Sequence, residues 1–342
     1  MSRPCHPAPP LVSAAAITPI SGRRIAYLLL VLVCLDAGLP TAAQSPTPPP
    51  RVGQEPITPI PAAPAQDTRR LALGEALFND RRLSHDNTRS CSSCHDLRTN
   101  GATSNARDAT PEGQPLARNT LTIFNAALSF RLNWAGNFRS LEGQAEHTLG
   151  NPDIMASSAD EAVRKLRADP ETVRQFQDAY GREPDVAALL DAIATYEGSL
   201  VTPDSRFDRW LAGDAHAITP EELAGYQLFK SLGCISCHQG VNVGGNLFQR
   251  HGIFHPIGSA LPVLLRVPGL RNVATTAPYF HDGSAPTLSE AVREMGVAQL
   301  DRMLTDQQVA AIVAFLDTLT GTYRGQTVRP AAAAPRPATA HP

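Results

Sequence analysis

Cys91-Ser92-Ser93-Cys94-His95 and Cys234-Ile235-Ser236-Cys237-His238 decide how this chain is read. Two residues between paired cysteines set the sulfurs about one helical turn apart, which suits addition across the two vinyl groups of a haem. The following His then points at the iron as an axial ligand. A thioredoxin-like dithiol needs no His directly after its second Cys, and a four-Cys zinc site needs none either. Two independent matches predict two covalently bound haem c groups, attached through Cys91 and Cys94 and through Cys234 and Cys237, with His95 and His238 on the irons.

The sequence leading into each motif repeats. Gly74-Glu75-Ala76-Leu77-Phe78 precedes the first motif and Gly225-Tyr226-Gln227-Leu228-Phe229 the second. A helix carrying G-x-x-L-F before each site predicts two related domains. Ser158, Thr219, Thr287 and Thr305 are each followed three residues later by Glu or Gln, the spacing of a capping box, and Pro220 suits a first helical position. Val186, Leu189, Leu190, Ile193 and Leu200 form one helical stripe. Val309, Ile312, Val313, Leu316 and Leu319 form another, which Gly321 is placed to end. Alternating strand patterns are scarce. The expected fold is mainly α, with two cytochrome c-like domains over 67–205 and 206–325, each around one covalently bound haem c.

A chain of 342 residues has room for two such domains. Arg23 and Arg24, the apolar run Ile25–Leu35 and the small residues Thr41, Ala42 and Ala43 read as an export signal over 1–43, which predicts a periplasmic protein. The run is short for a membrane span. The Pro-rich stretch 44–66 and the tail 326–342 read as disordered tethers. A formal net charge of -2 with no basic stripe argues against nucleic acid as a partner.

In family order, LGEALFNDRRLS, CSSCH, ARNTLTIFNAA, NWAGNFRSLEGQA, NPDIM, CISCH, RVPGLRNVATTAPYFHDGS and TLSEAVREM run from Leu73 to the helix ending near Leu319. In these the chain resembles the bacterial di-haem cytochrome c peroxidases, a group that includes the MauG-type di-haem oxidases. The resemblance implies a peroxide-reacting N-terminal haem and a high-potential C-terminal relay haem. It implies Met295 as second ligand of the relay iron, where MauG-type proteins carry Tyr; Met303 is the competing thioether. Trp134 resembles the Trp that passes electrons between the haems. Gln144 matches a distal-pocket Gln. Asn119, Thr276 and Pro278 match positions that hold a calcium ion.

Two departures stand out. The loop RTNGATSNARDATPEGQPLARNT carries no His to cap the first iron, although His147 is a distant candidate. Ile154, in Asn151-Pro152-Asp153-Ile154-Met155, occupies the family's acid–base Glu position, and isoleucine cannot move a proton. Glu142, Glu146 and Asp153 are the candidate replacements, Glu142 foremost. The expected activity is reduction of hydrogen peroxide with electrons from a small soluble donor, a cytochrome c or a cupredoxin, by a monomer or homodimer. The alternatives are a MauG-like oxidase acting on a partner protein and a non-catalytic electron-transfer cytochrome.

Overall fold

The computed structural model describes residues 53–257 and 264–332; the export signal expected over 1–43 lies outside them. The first half of the fold comprises α1 (Thr68–Phe78), α2 (Leu141–Gly150), α3 (Ala159–Arg167), α4 (Pro170–Tyr180) and α5 (Val186–Gly198). The second comprises α6 (Arg206–Leu211), α7 (Pro220–Ser231), α8 (Leu288–Leu300) and α9 (Asp306–Asp317). Extended structure is confined to two small antiparallel pairs, β1 (Phe248–Arg250) with β2 (Leu264–Arg266) and β3 (Thr322–Tyr323) with β4 (Gln326–Thr327).

Helix starts follow local chemistry. Thr219, Thr287 and Thr305 form reciprocal capping boxes with Glu222, Glu290 and Gln308. Ser158 completes only half of one: its hydroxyl accepts from the Glu161 amide, while the Glu161 carboxylate turns to Lys165 and His85, each at 3.0 Å. The repeated glycine has a packing cause. A Cβ at Gly74 would run into the Ala192 carbonyl on α5, and one at Gly225 into the Ala311 carbonyl on α9. Each half thus closes its core where a leading helix crosses a later one with backbones in close approach. Leu73, Leu77, Phe176, Leu189 and Ile193 fill the first core. Phe207, Tyr226, Phe229, Ile312 and Phe315 fill the second.

The repeat extends beyond the helices. Asn125 and Asn272, both left-handed, open equivalent 3₁₀ turns. At one constant spacing follow the bridges Leu132–Phe138 and Tyr279–Ala285, then the N-caps Ser140 and Thr287. Both asparagines converge on fully buried Thr202. Its hydroxyl accepts from Asn125 Nδ2 at 2.8 Å and Asn272 Nδ2 at 2.9 Å, and its amide donates to Asn125 Oδ1. One hydroxyl therefore pins equivalent turns of the two halves together.

Three expectations need correction. Gly321 does not end α9, which closes at Thr318; a Cβ at Gly321 would strike the Thr202 carbonyl. The stretch 44–66 is no free tether in its described part: Ile57 is 1% exposed in the second core, Glu55 bonds Tyr226 and Lys230, and the Thr58 carbonyl accepts from Arg271. The tail 326–342 begins ordered, because β4 pairs with β3 and Val328 is buried in the cluster of Phe78, Phe124 and Tyr196. Each end of the described chain therefore packs on the half to which it is not directly joined. Composition marked these segments as unable to form a core of their own, but a few apolar residues can still join one already built.

Replacing Thr202 by Val keeps shape but strands two buried amide donors. The expected loss is about 2–4 kcal/mol in denaturant unfolding, whereas Thr202→Ser, which keeps the hydroxyl, should stay within about 1.5 kcal/mol of wild type.

Candidate functional site

Each C-x-x-C-H folds as a 3₁₀ turn, Cys91–Ser93 and Cys234–Ser236. The amides of His95 and His238 donate to the Cys91 and Cys234 carbonyls, both at 3.0 Å, so each pair of sulfurs and its imidazole share a single turn. No disulfide joins the four motif cysteines. Burial pushes Cys91 up to about 12 and Cys94 and Cys234 up to about 11. A redox dithiol needs the opposite, a stabilised thiolate. Among the described residues no three His, Cys, Asp or Glu side chains gather into a metal cluster, so the two pairs do not converge on one zinc centre.

Both imidazoles are oriented for a metal. His95 Nδ1 donates to the Gly101 carbonyl at 2.9 Å and His238 Nδ1 to the Val243 carbonyl at 3.3 Å. That bond fixes the tautomer and leaves Nε2 available to ligate a metal. Burial lowers both rings' proton affinity, His238 to about 4, which keeps them in the neutral, ligating form.

A cavity of about 480 Å³ opens beside the first motif. Cys91, Cys94 and His95 line it, and α2 contributes Gln144, His147, Thr148 and Leu149. Sulfurs, an oriented imidazole and an otherwise largely apolar chamber fit a haem. Trp134 and Ile154 also line the cavity, so the residue in the expected acid–base position faces the chamber and carries no proton. Gln144 Nε2 donates to Thr148 at 3.1 Å, while its buried Oε1 has no protein donor. His147 stacks on Phe138 at 4.8 Å. Glu142 and Glu146 are exposed on α2, and Asp153 is an exposed residue at the cavity edge.

In the second half, Met295 packs from α8 against the same core cluster as Cys234 and Ile235. Met303 is 92% exposed and so is not available as an interior ligand. By the constant spacing of the repeat, Thr148 on α2 is the counterpart of Met295 on α8, and Trp134 is the counterpart of His281. The halves therefore offer different groups from equivalent helices. Trp134 and His281 meet edge to face at 6.4 Å, and His251 meets His281 at 4.8 Å. Asn119 joins them: its amide donates to the His281 carbonyl, and its carbonyl accepts from Trp134 Nε1. The Asn119 side-chain amide donates to the Asn105 and Ala106 carbonyls. Thr276, whose hydroxyl donates to Val273, and Pro278 lie in the loop leading to His281.

Sequence reasoning missed three cavity residues. Glu197, in the last turn of α5, is 8% exposed, and its carboxyl accepts no hydrogen bond from the described residues; burial, aided by the nearby Glu142 charge, pushes its carboxyl up to about 8. Arg118 and Arg266 also line the chamber. A Glu on the apolar helical stripe itself, between Ile193 and Leu200, was the one legible signal; the arginines sit in loop and strand segments that no periodicity marks.

Fold and site together define a c-type cytochrome with two haem c groups. The model of di-haem cytochrome c peroxidases matches residues 68–216, and that of cytochrome c matches residues 223–320. The cytochrome c551 peroxidase of Nitrosomonas europaea is 38% identical over 282 residues, covering 78% of this chain and 84% of that protein. A cytochrome c peroxidase of Escherichia coli is 40% identical over 287 residues, covering 79% of this chain and 62% of that longer protein. Among solved structures, a MauG-like protein associated with microbial copper homeostasis superposes with a TM-score of 0.67 at 27% identity, over 77% of this chain and 93% of that one. The chain belongs to the di-haem cytochrome c peroxidase family and is an oxidoreductase. Among the described residues no helix is long and apolar enough to cross a membrane.

The folded protein holds the Glu197 proton to about pH 8, whereas an unfolded chain releases it near 4.5. Wild type should therefore lose stability relative to Glu197→Gln as pH rises between those values, by up to about 1.4 kcal/mol per pH unit. Denaturant unfolding of both proteins at pH 4, 6 and 8 checks this.

Proposed function

We propose that the protein is a periplasmic peroxidase that reduces hydrogen peroxide to water with electrons from a small soluble donor, a cytochrome c or a cupredoxin. The observation that carries this reading is the difference between equivalent helices. Met295 on α8 has Thr148 as its counterpart on α2, and a hydroxyl already bonded to Gln144 is a poor substitute for a thioether. The first site therefore keeps a face for a small ligand, while the second is suited to passing electrons.

In this reading domains over 67–205 and 206–325 each hold one haem, the first through Cys91, Cys94 and His95, the second through Cys234, Cys237, His238 and Met295. Bound there, the two haems supply the electron storage and the redox chemistry of peroxide reduction. The chain's own residues position the substrate and handle protons. Gln144, with its unpaired Oε1 on the chamber wall, accepts an O–H hydrogen bond and orients peroxide, but an amide exchanges no proton at neutral pH. Ile154 leaves that role vacant. Glu197 is the buried carboxyl on the same chamber that can hold a proton, and Glu142, whose charge it feels, connects it toward solvent. Trp134, hydrogen-bonded to Asn119 between the halves, lies on the electron path. The loops of Asn119, Thr276 and Pro278 supply oxygen atoms of the kind a calcium ion takes. An export signal over 1–43 would deliver the chain to the compartment where haem c is attached.

The reduced protein, mixed with hydrogen peroxide and a ferrous cytochrome c donor, should oxidise the donor well above a free-haem control. Turnover no faster than that control overturns the reading. Gln144→Leu, which deletes one neutral hydrogen bond, should lower kcat/KM by about tenfold.

A further inference from the structure

The first chamber is walled by more positive charge than the protein neutralises. Arg266 lies on β2 of the second half yet lines the chamber of the first, and it is 6% exposed. Its amide donates to the Trp134 carbonyl and its Nε to the Asn133 carbonyl, both at 2.9 Å, and Nη1 reaches the Val267 carbonyl at 3.5 Å. No carboxylate among the described residues pairs with it. Arg118 lines the same chamber and has a buried Nη1 without a partner.

Arg271 shows what this fold does with a structural buried guanidinium. It is equally enclosed, pairs with Asp208 at 2.7 Å and donates to the Thr58 carbonyl. The acidic groups lining the chamber do not serve Arg266 or Arg118 in that way: Asp153 is exposed, and burial keeps Glu197 protonated. Enclosing an uncompensated guanidinium is costly unless an anion joins it, and the planar fork is matched to a carboxylate.

We propose that Arg266 and Arg118 form the anion site for the carboxylates of the N-terminal haem, so that a side chain of the second half closes the haem site of the first. This rests on the di-haem reading above. The haem in the first half is then gripped from both sides of the joint, and Arg266 holds one of its carboxylates while its backbone fixes Trp134. Arg266 is a positioning residue here, acting on the haem through charge. A fixed positive charge beside the macrocycle favours the state with one more electron. Its removal therefore shifts the ferrous–ferric equilibrium of that haem toward ferric and leaves the other haem alone.

The test is a spectroelectrochemical titration of the full-length holoprotein as wild type, Arg266→Gln, Arg266→Lys and Arg118→Gln, with intact mass counting the haems. Expected are two haems in every protein and a shift of tenfold or more in the equilibrium of the low-potential haem for Arg266→Gln, about 59 mV for one electron. Arg118→Gln should shift the same haem, and Arg266→Lys should restore most of the wild-type value. A low-potential haem that titrates as wild type in both Gln variants overturns the proposal. If Arg266→Gln does not fold, Arg118→Gln alone decides it by the same criterion. Fewer than two haems on the wild-type chain overturns the di-haem reading itself, and this site with it.

Discussion

A haem held through two sulfurs of a single turn, with the next imidazole as an iron ligand, would leave one face for the protein to vary. In the proposed reading the main difference between two such sites would come from the opposite face. In that reading the face belongs to the helix following each Asn-initiated turn, α2 in the first half and α8 in the second. Both helices start from equivalent N-caps at the same spacing, and they differ in what they present: a hydroxyl at Thr148, a thioether at Met295. On the proposed function, division of labour between the two halves would rest first on one side chain on each of these two helices.

The same economy governs the joint. Thr202 unites Asn125 and Asn272, and Trp134 meets its own counterpart, His281. The chain ends cross over, residues 55–58 bracing the second half and Val328 the first. Arg266 extends this mutual dependence into the chamber itself. Two halves locked at a buried polar hub and at both termini have little freedom to separate.

Much of this was legible in the sequence because it rests on local chemistry. The two C-x-x-C-H runs, the capping threonines and the apolar stripes are statements about neighbours in the chain, and the structure forms the turns and helices they predict. The paired glycines were legible as a repeat, but their cause, the Ala192 and Ala311 carbonyls, is a tertiary one. What composition could not reveal was long-range: Ile57 finding the second core, Val328 the first, Arg266 crossing into the other half. Glu197 was hidden for the opposite reason. It sits in the last turn of an otherwise apolar helix, and only burial beside a chamber changes what its carboxyl does.

The account turns on one open and one closed axial face per chain, and cyanide binding to the resting, fully oxidised holoprotein measures that directly. Titration followed by optical and electron paramagnetic resonance spectra should saturate at one cyanide per chain, with the spectrum of the thioether-ligated haem unchanged. Saturation at two, or no uptake at all, would contradict the asymmetry between Thr148 and Met295 from which the function was argued.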